Sequence, residues 1–253
     1  VAHIQGGEVT GSIDESIRHA MSKFAHIHLP ATKLSSDRLI RMGEDPKNIY
    51  VVGCPSIDVI KNTPLLEKSI IETYFDLNFS SPVLLMIQHP VTTEALDSFS
   101  QIKETIDAIN EVEVKTIVLL PNNDAGHSNI IEYIKSSGLK WYPSLPTDIF
   151  INLYRNVRAI IGNSSSGIHE TPTLGVPAIN IGNRQAGRPV ATSVLSCNGT
   201  IKQISKALKN IYMVKKNKTV SYKGKNKIKT ILKILQTINL SDIKSKKFYD
   251  INQ

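Results

Sequence analysis

From Val83 onward, short apolar runs alternate with amphipathic stretches. "VLLMI" over 83–87 has no polar position and reads as a buried strand, while "TEALDSFSQIKETIDAIN" over 93–110 places apolar residues at helical spacing. "KTIVLLP" predicts the next strand and residues 128–137 the next helix. A short strand near Trp141, a helix near 147–156, a strand at "RAIIGN", a helix at "SGIHETPTLG" closed by its glycine, and a strand at "PAINIGN" continue the alternation. Strand–helix alternation with short connections predicts an α/β chain with a parallel sheet covered on both faces. Such sheets hold ligands at the carboxyl ends of their strands. The polar punctuation falls there, in "QHPVTTE", "PNNDAG" and "GNSSSG".

The first 55 residues carry the same pattern in shorter form. "VAHI" reads as a strand end, 13–24 as a helix that Ser12 or Asp14 could cap, "AHIHLP" as a strand, 35–42 as a helix and "NIYVVG" as a strand. Three strands are too few to close a Rossmann-type sheet, so this half is expected to be the later part of a domain whose opening strands are absent. Residues 224–251 are helical in pattern. The expected division is 1–55 for the end of a first Rossmann-like domain and 56–240 for a second. Residues 241–253 are expected to form a helix that packs back on the first domain.

Composition adds little to this picture. The 253 residues are 41% hydrophobic and 21% charged, as in ordinary soluble globular chains. No apolar run approaches the roughly 18 residues of a membrane span, and "VAHIQGGE" is not expected to be a secretory leader. Two cysteines, Cys54 and Cys197, are too few for a disulfide framework, which predicts a reduced, cytoplasmic setting. The net charge of +8 is uneven: residues 201–253 hold 14 lysines and two acids, a balance of +12, which leaves −4 for residues 1–200. The tail has no arginine and few aromatics for stacking, so it reads as a solvated lysine-rich surface, and neither a nucleic-acid nor a membrane partner is expected.

Several polar clusters could carry chemistry. "GNSSSGIHE" follows a strand and opens a helix, so its small hydroxyl residues and glycines can approach a phosphate, with an ordinary serine cap as the bland reading. It misses the G-x-S-x-G elbow because Ser166 stands where the second glycine would be. No P-loop lysine pair or G-x-G-x-x-G is present. His26 and His28 would share a strand face without a metal-binding motif beside them, and read as histidines satisfied by neighbours. His89, directly after a buried strand, is better placed for a ligand. In "HIQGGEVTGSIDE", Gly6 and Gly7 present Glu8 at a strand's carboxyl end, and Asp14 and Glu15 begin the next helix. Crowded carboxylates can divide acid and base roles; they can equally complement the helix dipole.

Taken together, "HIQGGEVTGSIDESIRHA", "GCPSID", "QHPVTTE", "PNNDAG", "GNSSSGIHE" and "NIGNRQAGR" resemble, in order and spacing, the hydrolysing UDP-N-acetylglucosamine 2-epimerases. The resemblance covers the chain up to the lysine-rich tail. It implies a glycosyltransferase-B-like pair of Rossmann-type domains, the first incomplete, acting on a UDP-sugar without metal or redox cofactor, in a homo-oligomer. It also implies further chain ahead of this point, with an arginine and a catalytic aspartate, so the polypeptide is expected to be a fragment. By the same resemblance, Asn123, Ser164, Ser165 and Gly167 belong to the UDP site, Glu170 to the ribose, His89 to the phosphates and departing UDP, and Arg184 to the nucleotide side. Glu8 and Asp14 match the residues of proton transfer at the sugar. The implied reaction converts UDP-N-acetylglucosamine and water to N-acetylmannosamine and UDP through a 2-acetamidoglucal. A UDP-linked diacetamido-trideoxy sugar (UDP-N,N'-diacetylbacillosamine), a glycosyltransferase of the same architecture, and a UDP-binding module without turnover are the alternatives.

Overall fold

The alternation of apolar and amphipathic segments folds into two compact units, residues 1–62 with 222–253, and residues 63–221. The computed structural model describes residues 1–11, 13–216, 227–243 and 245–250. Ser12, a candidate cap, therefore lies outside the described residues.

The first unit opens with β1 (Ala2–Ile4), α1 (Asp14–Phe24), β2 (Ile27–Leu29), α2 (Lys33–Arg41) and α3 (Pro55–Asn62). β1 and β2 pair in parallel. α2 starts where the Thr32 side chain accepts the Ser35 N–H, an N-cap of the ordinary kind. The expected strand at "NIYVVG" is reduced to an isolated bridge between Ile49 and His28, with Tyr50 and Val52 N–H groups donating to the carbonyls of His28 and Pro30. The segment thus runs extended beside β2 without becoming a ladder strand.

The second unit contains α4 (Lys68–Phe75), β3 (Val83–Ile87), α5 (Ser98–Val112), β4 (Lys115–Leu119), α6 (His127–Ser136), β5 (Lys140–Tyr142), α7 (Thr147–Asn156), β6 (Ala159–Gly162), α8 (Ser166–His169), α9 (Thr171–Leu174), β7 (Ala178–Ile181), β8 (Val194–Cys197) and α10 (Ile201–Ile211). Its six strands are all parallel in the order β5-β4-β3-β6-β7-β8. Successive side chains of β3 point to opposite faces. Leu84 and Met86 enter a core with α5, α6 and α10, and Val83, Leu85 and Ile87 enter another with α4 and α7. Every residue of β3 is buried, which explains its unbroken apolar run; each such side chain contributes roughly 1.5–3 kcal/mol on burial.

The chain then returns to the first unit with α11 (Lys227–Thr237). Ile231 packs with Ile27, Leu29 and Val52. Asp58 of α3 receives the Ile228 N–H at 3.0 Å and lies 3.6 Å from the buried Lys227 Nζ. α3 and α11 therefore belong together in the first unit. The helix expected over 224–251 is α11 alone within the described residues. A 3-10 turn follows at Leu240–Ile243, and 245–250 is an irregular strap whose Tyr249 N–H donates to the Gly43 carbonyl at 3.0 Å. Lys246 Nζ caps the end of α1 through the carbonyls of Ser22, Lys23 and Ala25 at 2.6–2.9 Å, and meets Glu44 Oε2 at 2.6 Å.

The expected helix at "SGIHETPTLG" is two short helices, α8 and α9, parted at Glu170. Pro172 has no N–H to continue the α8 ladder. α3, α4, β8 and α10 had no counterpart in the sequence pattern. Among the described residues no helix is long and apolar enough to cross a membrane.

Candidate functional site

The strand order of the second unit reverses direction between β3 and β6, the switch point at which open parallel sheets leave a crevice beyond their carboxyl ends. Ile87 and Gly162 are register partners there. A Cβ on Gly162 would stand 2.1 Å from the Ile87 carbonyl oxygen, and its φ of +129° is one that side chains avoid. The two strand ends approach closely only because this residue is glycine.

Asn163, 4% exposed, locks the two ends together. Its Oδ1 accepts the His89 N–H at 2.7 Å and its Nδ2 donates to the His89 carbonyl at 2.8 Å. Its own carbonyl accepts from Gln185 Nε2 at 2.8 Å and from Arg184 Nη1 at 3.3 Å. Three loops, after β3, β6 and β7, thus meet at one buried amide. Glu94 adds a second tie between the first and third, accepting from Asn183 Nδ2 at 2.9 Å and Gln101 Nε2 at 2.7 Å.

His89 Nδ1 lies 3.1 Å from Asn122 Oδ1 and 3.2 Å from the Asn122 backbone N–H, so Asn122 meets either tautomer. Burial first, and then the Arg184 guanidinium, lower the His89 pKa to about 4. The imidazole is neutral near pH 7 in the unliganded chain, so a cationic role requires an anion beside it. Arg184 is largely buried and reaches Asp124 Oδ2 at 3.8 Å, a long ion pair. The loop after β4 therefore joins the cluster through Asn122 and Asp124, while the neighbouring Asn123 is exposed.

The serines follow β6. Ser164 Oγ lies 3.0 Å from Ser166 Oγ, which accepts the Tyr154 hydroxyl at 2.5 Å. The Ser164 carbonyl takes the Gly167 N–H, and the Ser165 carbonyl takes those of Ile168 and His169. Gly167 is buried against β7, where an added Cβ would make only ordinary contact with Ala178, so crowding does not explain that glycine. Glu170 is partly exposed between α8 and α9.

Glu8 and Asp14 belong to the first unit. A Cβ on Gly7, whose φ is +74°, would lie 2.2 Å from the Ser35 carbonyl, so the turn after β1 packs closely on α2 and presents Glu8 in a buried position. Asp14 is exposed at the first residue of α1. Glu15 is the carboxylate that ties this segment: it accepts the Thr10 N–H and meets His19 Nε2 at 3.0 Å. Backbone and His19 hydrogen bonds hold its pKa low against the opposing effect of burial, which is the largest single influence.

The structure thus brings His89, Ser164 and Arg184 to one strand-end cluster and adds Asn122, Asn163 and Gln185, which sequence reasoning missed. Adjacent residues in quoted motifs were the available signal for Asn122 and Asn163. Among the described residues no group of three or more His, Cys, Asp or Glu is placed to hold a metal. His28 is instead bonded to Glu44 at 2.8 Å, and His26 Nδ1 lies 3.3 Å from the Val1 amine. The strand-end donors suit an anion.

The profile of the UDP-N-acetylglucosamine 2-epimerase family matches residues 1–236. The chain is 36% identical over 211 residues to a UDP-N-acetylglucosamine 2-epimerase of Neisseria meningitidis serogroup B, covering 82% of this chain and 56% of that protein. It is 33% identical over 213 residues to the UDP-N,N'-diacetylbacillosamine 2-epimerase (hydrolyzing) of Legionella pneumophila, covering 83% and 56%. The chain spans about half the length of these curated relatives. Among solved structures, UDP-GlcNAc 2-epimerase from Neisseria meningitidis bound to UDP-GlcNAc superposes with a TM-score of 0.78 at 19% identity, over 94% of this chain and 70% of that one. The Methanocaldococcus jannaschii enzyme in complex with UDP-GlcNAc and UDP gives 0.78 at 16%, over 93% and 68%. These likenesses establish the fold as glycosyltransferase-B-like with Rossmann-type parallel sheets.

Proposed function

Because this chain belongs to the UDP-N-acetylglucosamine 2-epimerase family, we propose that it is the nucleotide-binding part of a hydrolysing enzyme of that family. The reaction converts UDP-N-acetylglucosamine and water to N-acetylmannosamine and UDP, a step toward sialic-acid-type sugars. The observation that carries this reading is the convergence of His89, Asn163, Ser164 and Arg184 at the sheet's switch point, where a diphosphate would meet N–H, O–H and guanidinium donors. Ser165, Gly167, Asn123 and Glu170 complete the proposed nucleotide site, with Glu170 accepting from the ribose hydroxyls.

A carboxylate removes the proton from C2 of the sugar while the C1–O bond breaks, releasing UDP and leaving a 2-acetamidoglucal. The leaving group departs as an anion, so concentrated donors at the diphosphate lower the barrier. Arg184 supplies positive charge; burial first and then that guanidinium oppose protonation of His89, and a diphosphate beside the ring offsets the second and favours its role as a proton donor. Water then adds its oxygen to C1 while a proton returns to C2 on the opposite face. Glu8 and Asp14 are the proposed proton-transfer residues. Glu8 is buried and Asp14 is exposed, so the two carboxylates stand in unlike surroundings. The relatives divide between epimerases of UDP-N-acetylglucosamine and of UDP-N,N'-diacetylbacillosamine, so both sugars are to be tried.

The test is incubation with each UDP-sugar while following UDP and the free sugar by NMR in deuterated water. In a chain extended to the length of its curated relatives, release of UDP with N-acetylmannosamine carrying deuterium at C2 is the expected result. UDP release that needs an acceptor sugar would identify a glycosyltransferase, and UDP binding without release would identify a binding module.

A further inference from the structure

Tyr154 stands on α7, outside every loop that carries a proposed ligand contact, and is 1% exposed. Its hydroxyl donates to Ser166 Oγ at 2.5 Å. Ser166 in turn meets Ser164 Oγ twice, through its own Oγ at 3.0 Å and its backbone N–H at 3.4 Å. A serine hydroxyl has one proton and two lone pairs, so the direction of these bonds can be counted. Burial pushes the Tyr154 phenol far above its usual range and the nearby Glu170 charge adds to that, which keeps it protonated and a donor. Accepting the phenol proton polarises the Ser166 O–H and favours it as the donor toward Ser164 Oγ, 3.0 Å away. In that arrangement Ser164 receives from both the hydroxyl and the amide of Ser166, and its own proton is left to be given outward.

We propose that Tyr154 is a positioning residue that, through Ser166, holds the Ser164 hydroxyl as a proton donor toward an anionic phosphate oxygen. The inference rests on the nucleotide-site reading above and adds a direction to one of its contacts. Without the phenol oxygen, Ser166 can accept the Ser164 proton instead, and Ser164 then presents lone pairs to the ligand. An oxyanion is attracted by the first arrangement and repelled by the second.

Calorimetric titration of the full chain with UDP, ADP and GDP tests this, using Tyr154→Phe, Ser166→Ala, Ser164→Ala and the Tyr154→Phe/Ser164→Ala pair. Tyr154→Phe should weaken UDP binding about five-fold, the scale of one net hydrogen bond, whereas Ser166→Ala, which also removes the competing acceptor, should weaken it less. In the Ser164→Ala background, Tyr154→Phe should add nothing, whereas a packing role would cost the same in both backgrounds. The inference is overturned if Ser164→Ala weakens UDP and Tyr154→Phe does not, a result that leaves the nucleotide site standing. It is also overturned if the Tyr154→Phe loss persists in full without Ser164. Should Tyr154→Phe fold poorly, Tyr154→Met, tested with and without Ser164, gives the same readout. ADP and GDP binding as tight as UDP, with the same dependence on Tyr154, would support the relay and remove the uridine assignment. Absence of binding by any of the three would overturn both.

Discussion

His89 sits at a strand end with its backbone clamped on both sides by Asn163 and its ring facing Asn122. Its surroundings disfavour the proton: burial and the Arg184 guanidinium bring the pKa from 6.5 to about 4. A diphosphate at this position would oppose the guanidinium's field and raise that value. Between about pH 4 and 6.5 UDP binding should therefore draw a proton onto His89. Calorimetry at about pH 5.5 in buffers of different ionisation enthalpy should show this uptake, and His89→Asn should remove it. Equal heats in all buffers would place the diphosphate away from the imidazole. At the same scale, Glu15 holds the "EVTGSIDE" turn to α1, so a carboxylate that reads as a simple helix-dipole partner also fixes the loop behind Glu8.

At the scale of elements, the meeting of β3 and β6 decides whether the site exists. Their register ends on Ile87 opposite Gly162, and the approach leaves no room for a side chain at 162. Gly162→Ala would combine a 2.1 Å backbone clash with a left-handed φ of +129°. The expected cost is more than about 2 kcal/mol in denaturant unfolding, with weaker UDP binding as the strand ends part. Retained stability would mean that the strands can slide apart without loss. The short helices α8 and α9 also show how local chemistry shapes the site. Pro172 interrupts the α8 ladder and leaves Glu170 at the joint, a position from which its side chain can turn toward a ligand.

At the scale of the whole molecule, protons act on both units in one direction. His28 in the first unit, mainly through burial, and His89 in the second are each lowered to about 4. The unfolded chain then binds more protons between about pH 4 and 6.5, so stability rises with pH across that window. The Glu44 pKa is lowered by Lys23 and Lys246 against its own burial, so its contribution is present above 4.5 and lost in stronger acid. Urea midpoints should fall as pH drops from about 6.5, and a flat profile would contradict these environments. The last described segment belongs to the same network. Lys246→Ala removes the ammonium shared by Glu44 and three carbonyls at the end of α1, and should cost the first unit about 2–4 kcal/mol. Faster amide exchange at the end of α1 would report it, and unchanged exchange would make the strap dispensable.

Runs such as "VLLMI" and "AII" announce strands buried on both faces, because an apolar residue at every position satisfies two cores at once. By themselves they determined a parallel α/β sheet and put the polar motifs at strand ends. Amphipathic α10 was hidden among lysines, and β8 has four residues of mixed polarity, so neither stood out. The serines, His89 and Arg184 were legible as motifs. Only the tertiary structure decided that Asn163 binds His89 across 74 positions of chain, and that Tyr154 stands behind Ser166. The reason is physical: periodicity records which face of an element is buried, whereas strand order, and with it the neighbours of each strand end, is set by long-range packing.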